Sequence, residues 1–266
     1  MDLQLQGKRA LVTGGSRGIG KAIARTLAQE GCDVVISARS QEALDVTAAE
    51  LSAETGRRIV GVVADTASDE AVKALVAAAV AALGGLDILV NNAAKAGGQA
   101  APPKLAEITD ALFWDDVNVK VMGYLRCARE AAPHLAAGGW GRIINISGLA
   151  ARSTGSTIGS VRNVSVAALT KNLADELGPL GVNVTVVHPG LTRTEATPGV
   201  IAARAAAQGL GEDEIERRMA AGNTVRRLIE AQDIAVIVAF LASPLSLAIN
   251  GDAIAAGGGQ QGTIHY

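Results

Sequence analysis

Short runs of Val, Ile and Leu alternate with longer, Ala-rich stretches along this chain. Runs 9–12, 33–37, 59–64, 88–91, 142–147, 183–188 and 253–255 are apolar at most positions. A strand reads this way when both of its faces are covered, as in a parallel sheet. The intervening stretches 18–30, 41–55, 70–83, 110–136, 160–177 and 231–242 are predicted helices. In the first of them Ile19, Ile23 and Leu27 recur at helical spacing. Strands alternating with helices predict an α/β fold, a doubly wound, seven-stranded parallel sheet with helices on both faces and right-handed crossovers. Residues 196–224 break the alternation with Ala, Gly and charge. They are expected to form a substrate loop or lid with some helix, the alternative being a plain surface insertion. One domain is expected over 1–266.

Composition narrows the function classes. Apolar residues make up 49% of 266, enough for a sizeable core, but aromatics make up only 2%, so the core must be aliphatic. A net charge of −2 without a basic stripe argues against nucleic acid as a partner. The apolar run 231–242 is interrupted by Gln232 and Asp233 and is too short to span a bilayer, so no membrane partner is expected. The opening MDLQLQGKR has no leader-like apolar region, and Cys32 and Cys127 lack metal or redox spacing. No metal site is expected, and a cytoplasmic setting with reduced thiols is.

The chemistry begins at Thr13-Gly14-Gly15-Ser16-Arg17-Gly18-Ile19-Gly20, between the first strand and the first helix. Gly14 permits a tight turn, Gly18 lets backbone approach a pyrophosphate, and Gly20 lets the helix pack close to the sheet. The helix N-terminus then offers free N–H groups and a positive dipole end. This makes the sheet a Rossmann-type dinucleotide fold. The second strand ends Ser37-Ala38-Arg39, without the acid that usually binds the ribose 2′-hydroxyl. Arg17 and Arg39 can instead fork a 2′-phosphate, so NADP(H) is expected over NAD(H). Asp65, at the end of the third strand, is placed either to reach the adenine amino group or to cap a helix.

With these residues in view, the chain resembles the short-chain dehydrogenase/reductase family over essentially its whole length. The resemblance rests on Thr13–Gly20, Asn91-Asn92-Ala93-Ala94, Asn118, Ser147 and Pro189-Gly190 with Thr194. It continues through Asp233-Ile234-Ala235 and Phe240-Leu241-Ala242-Ser243 to Asn250-Gly251-Asp252 and Gly257-Gly258. It implies an oxidoreductase acting on a small or medium carbonyl or secondary alcohol. It implies that Asn91, with Ala93, supports the sheet and the adenosine ribose, that Asn118 holds a water in a proton relay, and that Ser147 orients the substrate carbonyl. Pro189, Gly190 and Thr194 would frame the nicotinamide. It also implies a homo-oligomer, dimer or tetramer, built through helices 110–136 and 160–177.

The chain departs from that family at the centre of its site. The family's Tyr-x-x-x-Lys pair puts a proton donor and its tuning cation on one helical face. Aligned on Ala167-Ala168-Leu169-Thr170-Lys171, the tyrosine position holds Gly159 and the lysine position Asn163, and 152–168 contains neither Tyr nor Lys. Asn163 can still hold ribose hydroxyls. Substitute acids to consider are Lys95, Ser160, Arg162 and Tyr266, while His188 is expected to be buried or backbone-bonded. Three readings follow: an NADP(H)-dependent oxidoreductase with a relocated or substrate-assisted acid, a disabled NADP(H)-binding sensor or partner subunit, and an enzyme of another class using Ser147 as a donor.

Overall fold

The computed structural model describes residues 1–95 and 101–261. Its main sheet is built from β1 (Arg9–Thr13), β2 (Asp33–Ala38), β3 (Ile59–Val63), β4 (Ile88–Asn91), β5 (Gly141–Ile146), β6 (Val182–Pro189) and β9 (Ala253–Ala256). Each lies within a residue of its expected ends. The order is β3-β2-β1-β4-β5-β6-β9, and every pairing is parallel. The chain leaves β1 toward β2 and β3 on one side, then returns to β4 on the other. The carboxyl ends of β1 and β4 therefore flank the point where the order reverses, and a crevice opens there.

Alternate residues of each strand feed two aliphatic cores. Ala10, Val12, Val34, Ile36, Ile88, Val90 and Ile144 pack with helices α1 (Gly18–Gln29) and α9 (Ala231–Ala242). Leu11, Val35, Leu89, Ile143 and Val184 face the other way, onto α3 (Asp69–Leu83), α5 (Gly123–Ala136) and α6 (Thr157–Leu177). α2 (Gln41–Thr55) covers β2 and β3 beside α1. Ser40 and Ser68 cap α2 and α3 by accepting from the N–H groups of Ala43 and Ala71, satisfying donors a helix start leaves open.

Two expectations need correction. The stretch 110–136 is not one helix. It is α4 (Asp110–Val117) and α5, joined by a π-helical turn at Asn118–Met122, a local widening that periodicity does not reveal. The helix expected at 160–177 starts earlier, at Thr157, because the Ser156 hydroxyl accepts from the Gly159 N–H and caps it. Residues 196–224 contain α7 (Thr197–Gln208) and α8 (Glu212–Ala220), which share a small core of Ile201, Ala205 and Ile215. Short strands β7 (Thr192–Arg193) and β8 (Ile229–Glu230) pair at the base of this segment.

A buried polar line crosses the sheet and fixes α6 to it. Asn91 Nδ2 donates to Asn145 Oδ1 at 2.9 Å, and Asn145 Nδ2 donates to Thr170 Oγ1 at 2.9 Å. All three residues are buried, so each depends on the next for its hydrogen bonds. Asn145→Ala is expected to lower stability by about 1–3 kcal/mol in urea unfolding, because it takes the acceptor from Asn91 Nδ2, leaving it a 3.5 Å bond to the Tyr124 carbonyl, and the donor from Thr170 Oγ1. A change under about 0.5 kcal/mol would mean the line is not structural.

Candidate active site

The crevice starts from one threonine and one asparagine. Thr13 Oγ1 accepts from the N–H groups of Asn92 at 3.0 Å and Ala93 at 3.1 Å. Asn92 Nδ2 donates back to the carbonyls of Thr13 and Gly14, each at 3.1 Å. The glycine turn is thus bolted to the end of β4. Gly18, at φ 56°, sits in the left-handed region that a side chain disfavours. At Gly20 there is no room at all, since a Cβ would lie 2.1 Å from the Gly14 carbonyl oxygen.

The N-terminus of α1 is already answering a negative charge. Both carboxylate oxygens of Glu195 accept from the Gly18 N–H, each at 3.0 Å. Thr194 and Glu195 lie over Gly18, 3.4 and 3.9 Å from where a Cβ would stand. Ser16 is held by its carbonyl, which accepts from Thr47 Oγ1 at 3.0 Å. Arg17 and Arg39 are exposed, and neither forms an ion pair among the described residues. Asp65 is engaged locally, its Oδ1 accepting from the Ala67 N–H at 2.9 Å in the turn before α3, whose cap is Ser68.

Across the crevice, Ser147 lies just past β5 and is buried. Its Oγ donates to the Asn163 carbonyl at 3.1 Å. The Asn163 side chain, also buried, meets a group the sequence reading passed over. Lys120 Nζ donates to Asn163 Oδ1 at 3.1 Å and to the Ser147 carbonyl at 2.9 Å. Lys120 is 4% exposed. The residue comes from the π-helical turn, two positions beyond Asn118. It lies outside 152–168, where a lysine one helical turn from a tyrosine would stand. The available signal was a single lysine set among Val119, Val121 and Met122. Burial pushes its amine down to about 7, Arg162 acts in the same direction, and Asp116 opposes both.

The other singled-out residues are spoken for. Asn118 is turned to the helix bed: its Oδ1 accepts from Arg126 at 2.9 Å and its Nδ2 donates to the Ala67 carbonyl at 3.3 Å. Arg162 is paired with both oxygens of Asp116, at 2.8 and 2.9 Å. Lys95 is paired with Asp115, and Ser160 Oγ donates to the Ser153 carbonyl at 2.9 Å. His188 is buried, and its Nδ1 accepts from the Gly148 N–H at 3.4 Å. Tyr124 is buried, with its hydroxyl donating to the Ile146 carbonyl at 2.8 Å, and burial drives its pKa up. Tyr266 lies outside the described residues. Gly159 is buried, and a Cβ there would lie 2.7 Å from Ser156 Oγ. Gly190 packs on Gly257 beside Pro189, where a Cβ would come within 2.8 Å of the Gly257 Cα. Thr194 donates its N–H to Thr197 Oγ1 at 2.8 Å.

Comparison with known proteins finds relatives over nearly the whole chain. The family model described as enoyl-(acyl carrier protein) reductase matches residues 14–261. Dehydrogenase/reductase SDR family member 4 of Sus scrofa is 36% identical over 261 residues, covering 96% of this chain and 88% of that one. L-Sorbose reductase from Gluconobacter frateurii, solved with NADPH and L-sorbose, superposes with a TM-score of 0.93 at 30% identity, covering 99% of this chain and 100% of its own. A short-chain dehydrogenase from Burkholderia cenocepacia in complex with NADP gives a TM-score of 0.81 at 37% identity, with 96% and 98% covered.

The buried amine makes a prediction about pH. In the unfolded chain Lys120 titrates near 10.5, and in the folded protein near 7. Between these values the unfolded state holds a proton that the folded state has released, so stability from this group rises with pH. The slope reaches about 1.4 kcal/mol per pH unit and vanishes below the folded value. Urea unfolding of wild type and Lys120→Met should therefore diverge in favour of wild type between about pH 7 and about pH 9. A pH-independent difference would show that the amine stays charged in its site.

Proposed function

The chain belongs to the short-chain dehydrogenase/reductase family, and we propose that it is an NADP(H)-dependent oxidoreductase interconverting a carbonyl compound and a secondary alcohol. The single observation that carries this reading is the carboxylate of Glu195 seated on the Gly18 N–H. A side-chain anion stands where a helix N-terminus would take a pyrophosphate, so the residues fit the cofactor's charge. Gly14, Ser16, Gly18, Ile19 and Gly20 supply the close-approach backbone. Arg17 and Arg39 are unpaired cations suited to a 2′-phosphate, and no acid ends β2 to bind a 2′-hydroxyl. Asn91, Ala93 and Asp65 are assigned to the adenosine half, and Asn163, Pro189, Gly190 and Thr194 to the nicotinamide half. The bound cofactor supplies or accepts the hydride. Ser147 orients the carbonyl, and Asn118 belongs to the proton relay only if its present bonds to Arg126 and Ala67 open.

We read Gly159 and Asn163 as standing where the family's tyrosine and lysine would be. Gly159 has no proton to give, and loss of a general acid costs about 10²–10⁴ in rate. Slow turnover, with the proton from solvent or from the substrate itself, follows. A second reading, an NADP(H)-binding sensor or partner subunit, draws on one observation: Lys95, Ser160 and Arg162, the substitute acids within the described residues, are all engaged.

Supporting a lid role for 196–224 is Glu195 at its base, whose carboxylate accepts from the Gly18 N–H. Exposed Trp114, Val161 and Val164 support a homo-oligomer, dimer or tetramer, formed through α4 and α6. Among the described residues no helix is long and apolar enough to cross a membrane. Unpaired, buried Cys32 and Cys127 suit a cytoplasmic setting.

Cofactor binding, followed by fluorescence of the reduced nicotinamide, tests the proposal. NADPH should bind at least about tenfold more tightly than NADH, and Arg39→Ala should cut NADPH affinity by about tenfold or more while sparing NADH. Equal affinities would remove the NADP(H) preference, and binding of neither would overturn the oxidoreductase reading. Because Glu195 competes for the same N–H, Glu195→Ala should tighten NADPH binding severalfold; weaker binding would mean that Glu195 is a cofactor contact.

A further inference from the structure

We propose that Lys120 is the positioning amine of this site, acting through Asn163, so that the two residues together hold the cofactor as one lysine on α6 would alone. The inference rests on the cofactor-binding reading above and extends it to a residue on a different element. Three observations bring it out. Lys120 Nζ sits on the side chain of the residue at the vacant lysine position, 3.1 Å from Asn163 Oδ1. Its second bond, 2.9 Å to the Ser147 carbonyl, ties it to the strand end that carries the site serine. It is buried, yet it has no carboxylate of its own: Asp116, the nearest acid acting on it, is taken by Arg162. A buried ammonium without a carboxylate partner is costly, and a chain that needed only packing there would be served by an apolar residue.

The hydrogen-bond directions say what the lysine does. Charged or neutral, Lys120 donates its N–H groups to the two acceptors, so Asn163 must turn its oxygen inward to the amine. Its Nδ2 group is then turned the other way, where it lies 3.0 Å from the point a Cβ would occupy on Gly148. Gly148 is the first residue after Ser147, and the missing side chain leaves room for the amide. Asn163 thus offers N–H donors toward the crevice while its oxygen rests on the amine's N–H groups, and that polarisation strengthens the donors. Amine and presented hydrogen-bond donor are divided between two side chains, one behind the other. Because Lys120 acts only through Asn163, removing the Asn163 amide should leave little for a change at Lys120 to take away.

Two probes separate this role from mere support of the fold: NADPH, which reaches the nicotinamide half, and adenosine 2′,5′-bisphosphate, which does not. Both are titrated against wild type, Lys120→Met, Lys120→Gln, Asn163→Ala and the double variant Lys120→Met/Asn163→Ala, with thermal unfolding recorded for each. If Lys120→Met fails to fold, Lys120→Gln, which keeps N–H donors, takes its place. Expected is a loss of NADPH affinity of about tenfold in Lys120→Met with bisphosphate affinity held within about twofold. Asn163→Ala alone should lose at least as much, and the double variant should lose little more than Asn163→Ala, so that the two changes are strongly non-additive. Equal loss of both probes, no loss of either, or additive losses in the double variant would overturn the proposal. Wild-type binding of NADPH no tighter than of the bisphosphate would overturn it as well, while leaving the glycine cradle and the arginine fork standing. Binding of neither probe by wild type would instead fell the cofactor reading on which it rests.

Discussion

The crevice depends on the hydrogen bonds between Thr13 and Asn92 more than on any other contact. β1 and β4 are neighbours in the sheet but are separated by two intervening strand–helix units in the chain. Their carboxyl ends must meet for a dinucleotide to lie across them. One hydroxyl accepts from two successive N–H groups, and one amide group donates to two successive carbonyls. That lattice holds the glycine turn in place, and the turn leaves α1 so close that Gly20 has no room for a Cβ. The dipole end of α1 then points into the crevice, where Glu195 meets it.

Polar groups inside the aliphatic sheet form a second organised layer. Asn91, Asn145 and Thr170 pass hydrogen bonds from β4 to β5 to α6, and Lys120, Ser147 and Asn163 do the same nearer the crevice. Burying such groups is tolerable only when each is bonded, so the layer fixes the height and rotation of α6 against the sheet. The π-helical turn between α4 and α5 belongs to the same arrangement. It carries Lys120, and its first carbonyl, on Asn118, accepts from Arg126.

Much of this was legible in the chain. Apolar strands covered on both faces leave little choice of ends, and β1 to β6 and β9 fall where the Val and Ile runs do. The glycine turn was legible because Gly14, Gly18 and Gly20 each answer a separate steric demand. Less legible was anything depending on a helix's internal register. The stretch 110–136 reads as one helix because a single widened turn barely disturbs its hydrophobic period. Asn92 follows Asn91 directly in the chain, and only its two hydrogen bonds, to the Thr13 and Gly14 carbonyls, mark it as the brace of the turn. Lys120 is not legible from the spacing along one helix, because folding brings two helices to the same point.

The sequence by itself determined the strand–helix alternation, the sheet it builds, the phosphate-binding turn and the absence of Tyr and Lys from 152–168. These are local matters, set by side-chain periodicity, by the backbone freedom of glycine and by residue identity. Only the tertiary structure decided which polar groups face one another: Glu195 on Gly18, Arg162 on Asp116, Lys120 on Asn163. Those partners lie 177, 46 and 43 residues apart in the chain. A hydrogen bond depends on distance and direction within a few tenths of an ångström, and packing of the helices on the sheet sets both.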